Sequence, residues 1–292
     1  MKFFNSSLAR IYGNDCNNNG WAGIGLFTSH NSQVELNEVS NGNYDLHMVF
    51  TNSSVITRNT AHIKPGGYSI ALYYSHNNLI YHNDFVNSLL YVETRGSTRF
   101  TPPNNWDNGA EGNYWLYYGG RDVDQDGIGD APLNVGEDNV DHYPLMGLYS
   151  EFSVTFNGQA YSVGVVSNST LSDLQLDAEN KKMTFVAVGQ NGTLGFSRVA
   201  VPNSLAQELG NGLVFSVNGK EPVWQKEWSD EAYVYWYLSF ANIPAPESTF
   251  DPWIIIIGAS LVLVILGLFL IQRRRPSEVR QTAEEPTKQQ PA

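Results

Sequence analysis

A short run of alternating aspartates is the segment of this sequence best suited to binding a metal ion. It reads Asp-Val-Asp-Gln-Asp-Gly-Ile-Gly-Asp over residues 122–130. Carboxylate and carbonyl oxygens are the ligands that calcium prefers, and Gly127 allows the sharp turn that such loops need. The predicted ligands are Asp122, Asp124, Asp126, the Ile128 carbonyl and Asp130. A complete EF-hand would carry a glutamate where Leu133 stands, so the sequence predicts a weak calcium site of another type.

Three aromatic residues, Trp21, Tyr44 and Tyr68, are the ones that we expect to bind a ligand. They lie among asparagines and glycines, and aromatic rings beside amide groups suit the recognition of sugars. Tyr44 and Tyr68 each stand two residues before an apolar pair, so we expect their rings to stack. The alternative is that these side chains only cover a solvent-facing turn.

These residues belong to a repeat of about 23 residues. Four asparagines recur at intervals of 23, 22 and 24 residues, and an aliphatic residue stands three positions before each: Asn14, Asn37, Asn59 and Asn83. Apolar residues inside a repeat alternate, as in Ile24-Gly25-Leu26, which predicts short strands rather than helices. All variation in repeat length falls between the asparagine and the next apolar pair. The sequence therefore predicts a parallel β-helix of about four coils with one variable corner.

We expect the four asparagines to be structural. Asparagine tolerates the left-handed backbone conformation, and stacked copies can hydrogen-bond one another along a ladder. Ligand binding should instead occur at the variable corner, where side chains are free of the core.

An enzyme acting on polysaccharides is the main alternative to a binding function. Such enzymes need paired carboxylates, or a carboxylate with a basic residue, on neighbouring coils. The candidates are Asp15, Glu35, Glu38, Asp45 and Asp84. They do not line up, because Thr60 interrupts the column of Asp15, Glu38 and Asp84, and Asp45 belongs to another strand. The sequence therefore favours a function without catalysis.

The segment from 150 to 243 lacks the repeat and predicts a second β domain. Apolar residues alternate in several runs, such as Phe152-Val154-Phe156. Asn157-Gly158 and Asn218-Gly219 predict hairpin turns, and residues 202–209 predict one short helix. We expect an antiparallel β-sandwich of about seven strands.

The C-terminal part predicts a membrane anchor. Residues 253–271 carry no charge and are long enough to cross about 30 Å of hydrocarbon as a helix. Arg273, Arg274 and Arg275 follow directly, so we expect a cytoplasmic C-terminus and an extracellular N-terminal part. Residues 244–252 then form a linker, and residues 272–292 form a polar cytoplasmic tail.

The composition of the chain limits the classes of molecule that it is expected to bind. The 292-residue chain has a net charge of −12, which disfavours nucleic acid and favours cations, neutral glycans or basic partners. Its single cysteine, Cys16, can form no internal disulfide.

The first residues lack a signal peptide, and the first repeat is already under way at Ile11. We therefore expect the N-terminal part of the β-helix to be truncated.

The block after the repeats carries the most distinctive motifs. The repeat loses register after Asn87, and residues 104–149 contain Asn113-Tyr114-Trp115, the aspartate run and a closing Asp-His-Tyr-Pro-Leu-Met segment. These features resemble the end of right-handed parallel β-helix domains of the NosD type, a family labelled as periplasmic copper-binding and widespread in archaeal and bacterial surface proteins. The resemblance covers roughly residues 5–149 and implies a right-handed β-helix over residues 1–149. Residues 150–243 more loosely resemble a β domain beside the membrane anchor of archaeal surface proteins.

The resemblance suggests copper, but the histidines do not support a copper site. His30 and His76 hold equivalent places two coils apart, a separation of about 9.5 Å that is too long for one shared ion. His82 and His142 have no cysteine or methionine partner at a recognisable spacing. We therefore expect calcium rather than copper.

These features predict a membrane-anchored, calcium-stabilised cell-surface protein that displays a β-helix and binds glycans or other surface proteins. We expect contact with the lipid bilayer through residues 253–271 and none with nucleic acid. A polysaccharide lyase, hydrolase or epimerase is the first alternative, and an accessory role in copper delivery is the second.

Overall fold

The computed structural model describes residues 1–62, 64–86, 103–136, 139–210 and 212–244, and the backbone of residues 92–95. Residues Met1–Ala245 form one compact unit, so both predicted β domains belong to it. The predicted span at 253–271, the tail at 272–292 and all of the predicted linker except Pro244 lie outside the described residues. Within the described ranges, no helix is long and apolar enough to cross a membrane.

The first part of the chain consists of short parallel strands, three to a coil. The first sheet contains β1 (Lys2–Phe4), β4 (Ala22–Phe27), β7 (Tyr44–Val49), β10 (Tyr68–Tyr73) and β13 (Val92–Arg95). The second sheet contains β2 (Arg10–Tyr12), β5 (Gln33–Glu35), β8 (Val55–Thr57) and β11 (Leu79–Tyr81). The third contains β3 (Asp15–Asn17), β6 (Glu38–Ser40), β9 (Thr60–His62), β12 (Asp84–Val86) and β14 (Tyr114–Trp115). This parallel β-solenoid of about four turns confirms the architecture predicted from the repeat.

The predicted aliphatic residues fill the interior of the solenoid. The residues three before each asparagine are at most 2 % exposed: Ile11, Val34, Ile56 and Ile80. Strand register places Leu46 beside Ile24 on one side and Ile70 on the other, and all three are buried. Each apolar side chain thus stacks on its equivalent in the next coil, and the burial of such side chains is the main stabilising contribution to a repeat fold.

The four asparagines form a continuous side-chain ladder along the corner between the second and third sheets. Each Nδ2 donates to the Oδ1 of the next asparagine, at 2.9 Å from Asn14 to Asn37, 2.8 Å from Asn37 to Asn59 and 2.9 Å from Asn59 to Asn83. Asn59 Nδ2 also donates to the carbonyls of Val34 and Thr57. Asn37, Asn59 and Asn83 are buried, so their amides satisfy backbone groups that would otherwise lack a hydrogen-bond partner.

The expectation that these asparagines supply the left-handed conformation is wrong. The residue with positive φ is the one before each asparagine: Gly13 (62°), Leu36 (55°), Arg58 (57°) and His82 (56°). The asparagine side chain is committed to the ladder, so the preceding residue makes the turn. Non-glycine residues adopt this conformation at some cost, which the ladder must offset.

Two further ladders line the corner between the first and second sheets. Side-chain oxygens of Ser29, Thr51 and Ser75 accept backbone N–H groups from the preceding coil, as do those of Ser32, Ser54 and Asn78. Asn78 Nδ2 donates to Asn104 Oδ1 at 2.9 Å. Polar side chains therefore hold every coil to the next at two corners.

The β-helix continues past Asn87, where the sequence repeat loses register. Asn83 Nδ2 donates to Asn113 Oδ1 at 2.9 Å, and Tyr114 pairs in parallel with Asp84. The step from Asn83 to Asn113 is 30 residues long, so an insertion hides the repeat. Asp141, at the end of the hairpin β15 (Leu133–Gly136) and β16 (Asn139–Asp141), closes the ladder by accepting the Asn113 N–H at 2.9 Å.

In the second part of the chain, the described residues form eight strands and one helix. They are β17 (Leu148–Phe156), β18 (Gln159–Ser167), β19 (Thr170–Asp177), β20 (Lys182–Val188), β21 (Leu194–Pro202), α1 (Asn203–Leu209), β22 (Val214–Val217), β23 (Trp224–Ser229) and β24 (Tyr233–Ala241). A five-stranded antiparallel sheet, in the order β17-β18-β21-β24-β23, accompanies a three-stranded sheet, β19-β20-β22. Asn157 and Gly158 both have positive φ and join β17 to β18, as the hairpin prediction required.

One pair departs from the antiparallel expectation, because β20 and β22 run parallel. Between these two strands the chain passes through β21 and helix α1, so β22 begins at the same end of the sheet as β20. Buried side chains of both sheets, such as Val165, Phe185 and Leu238, form one hydrophobic core.

Candidate functional site

The three aromatic residues predicted to bind a ligand come together on the outer face of the first sheet. The rings of Tyr44 and Tyr68 stack with their centroids 5.6 Å apart and an interplanar angle of 17°. Trp21 meets Tyr44 edge-on at 6.0 Å. Because the two tyrosine rings stack on one another, they present ring edges and hydroxyl groups to solvent rather than open faces.

His47 stands at the centre of this group and was missed by the reasoning from sequence. Its ring stacks on Tyr44 at 4.6 Å and meets Trp21 and Tyr73 edge-on at 4.7 and 4.9 Å. Only 3 % of His47 is exposed. The sequence feature that could have identified His47 is its position one residue after the buried Leu46, because alternate residues of a strand point to opposite faces of the sheet. Strand pairing places His47 beside Gly25 and Ala71 on the outer face.

Two more rings extend this surface along the solenoid axis. Phe27 stacks on Trp21 at 5.8 Å and on Phe4 at 4.7 Å. We define the aromatic face as the four rings that contact His47 and the two rings that stack on them: Trp21, Phe27, Tyr44 and Tyr73, with Phe4 and Tyr68. Trp21 is 38 % exposed and Phe4 63 %, so the face is open to solvent.

The electrostatics of the aromatic face differ from those of the chain as a whole. The only carboxylate in strands β1, β4, β7 and β10 is that of Asp45, which is buried and accepts the Gly42 N–H. Burial raises the pKa of Asp45 to about 7. Lys2 Nζ lies 4.4 Å from the centre of the Trp21 ring. Within strands β1, β4, β7 and β10, the surface is therefore apolar and hydroxyl-bearing and carries no exposed carboxylate, on a protein that is acidic as a whole.

The aspartate run forms a loop that brings together three of its four predicted carboxylate ligands. Carboxylate oxygens of Asp122, Asp124 and Asp126 lie within 4.8 Å of one another. The Asp130 carboxylate lies outside this group and accepts the Val123 N–H at 2.9 Å, and Ile128 bridges to Leu145 through its backbone. The loop therefore brings three of its four predicted carboxylates close enough together to bind one ion.

The clustered carboxylates of the loop repel one another. Burial, together with repulsion from Asp124, raises the pKa of both Asp122 and Asp126. Backbone N–H groups of Asp126 and Gly127 offset part of this by donating to the Asp122 carboxylate. Lys226 on β23 donates to the Asp124 carbonyl at 2.6 Å. This hydrogen bond holds the loop against the five-stranded antiparallel sheet. A divalent cation would relieve the remaining repulsion.

The histidines do not form a set of copper ligands. His30 Nδ1 accepts the Asn52 N–H at 3.2 Å, and Asn52 Oδ1 accepts the His76 N–H at 2.9 Å, so this column is a structural ladder. His82 pairs with Glu111, and His142 pairs with Asp107. In the described ranges, the aspartate loop is the only group of three or more His, Cys, Asp or Glu side chains close enough to hold one metal ion. The described histidines thus do not fit the imidazole and thiolate set that copper prefers.

The carboxylates weighed for polysaccharide chemistry are mostly engaged in structure. Asp84 is buried and accepts the Tyr149 N–H at 2.9 Å, and its burial raises its pKa to about 8. Glu35 forms ion pairs with Arg10 and Arg58, both at 2.8 Å. Strand register does align Asp15 with Glu38 and Thr60 with Asp84 in one column, with Thr60 as the interruption that the sequence predicted.

Comparison with known proteins agrees with this architecture. Residues 3–120 match the family model described as periplasmic copper-binding protein (NosD). No curated protein and no solved structure matches the chain significantly. The matched segment covers the parallel coils, the asparagine ladder and the start of the terminal block. The match and the parallel β-solenoid of about four turns both fit a β-helix of the NosD type over these residues.

Proposed function

We propose that this chain is a cell-surface protein that displays its β-helix to bind uncharged glycans. The observation that carries this proposal is the aromatic face, a set of six rings around His47 on the first sheet. Sugars combine apolar C–H surface with hydroxyl groups, and tyrosine and tryptophan offer both a ring and a polar group.

The geometry favours hydrogen bonding at ring edges over flat stacking of a sugar on an open ring. The hydroxyls of Tyr44 and Tyr73 lie 3.2 Å apart, so together they offer donors and acceptors at one point. The chain carries a net charge of −12, which disfavours anionic polymers over its surface in general. An uncharged ligand meets no such repulsion.

The proposed function includes a C-terminal membrane anchor. The uncharged run at 253–271 and the arginines after it support a single span with the β-helix outside the cell. The periplasmic description of the matched family supports a location outside the cytoplasm.

Binding of the full-length chain in detergent micelles to an array of neutral and anionic glycans tests this function. We expect retention on at least one neutral glycan and none on anionic glycans. Absence of binding to every neutral glycan on the array would remove the proposal.

Calcium at the aspartate loop belongs to the same proposal. The three clustered carboxylates and the raised pKa of Asp122 and Asp126 support a cation there. A site with so few protein ligands suits the millimolar calcium found outside cells.

The family description favours copper delivery as a second candidate function. Isothermal titration of the full-length chain with Cu²⁺ and Cu⁺ distinguishes it from the first. Heat of binding that persists in a His142→Gln and His82→Gln double variant would point to ligands outside the described histidine pairs.

A further inference from the structure

A cleft of about 410 Å³ opens at the far end of the second sheet, away from the aromatic face. Leu79 on β11 and Val140 on β16 line it together with the segment from Pro103 to Gly109. Its volume falls within the range of small-molecule sites. None of the residues of the aromatic face or the aspartate loop belongs to it.

A histidine and an aspartate form a hydrogen-bonded pair in the wall of this cleft. His142 Nδ1 lies 2.9 Å from Asp107 Oδ2, and the same oxygen accepts the His142 backbone N–H at 3.1 Å. Asp107 Oδ1 accepts the Gly109 N–H at 3.0 Å. The Asp107 side chain is 13 % exposed and that of His142 is 62 % exposed. Three hydrogen bonds therefore fix the carboxylate, while the imidazole reaches solvent.

This arrangement sets the tautomer of the histidine. The carboxylate accepts from Nδ1, so Nδ1 carries the proton and Nε2 is left as a hydrogen-bond acceptor. A base that is itself oriented by a third group is the arrangement required for general base catalysis. The reasoning from sequence missed it because the two residues belong to different segments that meet only in the fold.

Asn108 supplies a fixed donor to the same cleft. Its Oδ1 accepts the N–H groups of Ala110 at 3.0 Å and Glu111 at 2.8 Å. These two bonds orient the amide and leave the Nδ2 hydrogens for a ligand. A preoriented amide donor is the kind of group that stabilises an oxyanion.

We propose that this cleft is a hydrolytic site for uncharged esters, with His142 as general base, Asp107 as its positioning residue and Asn108 as oxyanion donor. The cleft lining among the described residues contains no serine, threonine, cysteine or lysine, so water is the nucleophile. Uncharged substrates are favoured because the chain is strongly acidic.

The reaction is ordinary ester hydrolysis. His142 Nε2 takes a proton from water while the water oxygen forms a bond to the carbonyl carbon, and the carbonyl oxygen becomes an oxyanion held by Asn108 Nδ2. The bond between that carbon and the alkoxy oxygen then breaks, and the imidazolium returns the proton to the departing alkoxide. The products are an acid and an alcohol, and neither a metal nor an oxidant is consumed.

Hydrolysis of p-nitrophenyl acetate by the full-length chain tests the site, with an equimolar solution of free imidazole as the reference. We expect saturable hydrolysis that is faster than the reference. His142→Gln should lower kcat/KM by about 100-fold. His62→Gln is the matched control, because His62 lies on β9 outside the cleft, and it should leave the rate unchanged.

Two further variants separate catalysis from folding. Asn108→Asp keeps the oxygen that accepts two N–H groups but removes the donors, and it should lower kcat by about 100-fold. Asp107→Asn should lower kcat with KM unchanged at a temperature well below the Tm of the variant, which a purely structural role would not produce. A rate no higher than that of imidazole, or equal rates for His142→Gln and His62→Gln, would overturn the proposal.

Discussion

Arg198 Nη2 lies 2.6 Å from Glu111 Oε1, and this ion pair joins the end of the β-helix to strand β21 of the antiparallel sheet. Both side chains are largely buried, at 6 % and 12 % exposure. Burial alone would raise the pKa of Glu111, but the hydrogen bond from His82 and the charge of Arg198 lower it to about 2. His82 also stacks on Tyr149, with ring centroids 3.8 Å apart. The two predicted domains therefore share a polar junction rather than a flexible linker.

Removing one partner of this pair should destabilise the protein strongly. Arg198→Met leaves the buried Glu111 carboxylate with His82 as its remaining partner, and removing one partner of other buried ion pairs costs about 3–5 kcal/mol. Urea unfolding of the full-length chain measures it. The Arg198→Met and Glu111→Gln double variant should recover much of the loss. A loss below about 1 kcal/mol for the single variant would show that the pair does not hold the junction.

The middle of the asparagine ladder should be far less tolerant than its end. Asn59→Ala leaves the Val34 and Thr57 carbonyls and groups of two neighbouring asparagines without a partner in a buried corner. Each buried group left unsatisfied costs about 1–3 kcal/mol, so a loss of at least about 3 kcal/mol is expected.

Asn14→Ala is the matched control for the ladder, because Asn14 is only half-buried and donates to only one neighbouring asparagine. It should cost less than about 1 kcal/mol in the same unfolding measurement. Equal losses for the two variants would contradict a ladder that satisfies buried groups.

Stability should fall as pH rises from weakly acidic to weakly alkaline values. Burial raises the pKa of Asp141 to about 6, of Asp45 to about 7 and of Asp84 to about 8. The folded state therefore holds protons that the unfolded state has released above its ordinary carboxylate pKa of about 4. The stability that these groups contribute is complete below about pH 4 and is lost as pH rises through each folded pKa.

Asp45→Asn isolates one of these groups, since the amide can still accept the Gly42 N–H. At pH 8 this variant should be more stable than the parent by an amount on the order of 3 kcal/mol or less, and at pH 4 the two should be nearly equal. Thermal unfolding at both pH values measures the difference. A constant difference between pH 4 and pH 8 would show that Asp45 does not titrate in this range.

Calcium should stabilise the full-length chain through the aspartate loop. With a Kd of about 1 mM, 10 mM calcium would add about 1.4 kcal/mol to the free energy of unfolding. Asp124→Asn should abolish most of this gain, because it removes one of three clustered carboxylates. Asp173→Asn, an exposed aspartate on β19, is the control. An equal Tm with calcium and with a chelator would refute a calcium site.

The parts of the fold that depend on spacing along the chain could be predicted from sequence. Ile11, Val34, Ile56 and Ile80 identified the core, and the asparagines identified a ladder, because a solenoid repeats the same contacts at a fixed interval. The serine and threonine ladder through Ser29, Thr51 and Ser75 changes residue type from coil to coil, so the repeat did not reveal it.

Contacts between distant segments could not be predicted in this way. The position of Arg198 against Glu111, and of His142 against Asp107, depends on how the terminal block folds back after an insertion has broken the repeat. The aromatic face was found only in part. Trp21, Tyr44 and Tyr68 share a visible position beside the variable corner, whereas His47 and Phe27 join them through strand pairing.

Titration of the full-length chain with a neutral glycan retained on the array tests the central claim most directly. Tyr44→Ala removes a ring that contacts Tyr68, His47 and Tyr73, and it should weaken binding at least about tenfold, equivalent to about 1.4 kcal/mol. Tyr74→Ala removes an exposed ring stacked on Phe50 outside the aromatic face, and it should leave the Kd unchanged. Equal Kd values for the parent, Tyr44→Ala and Tyr74→Ala would contradict binding at the aromatic face.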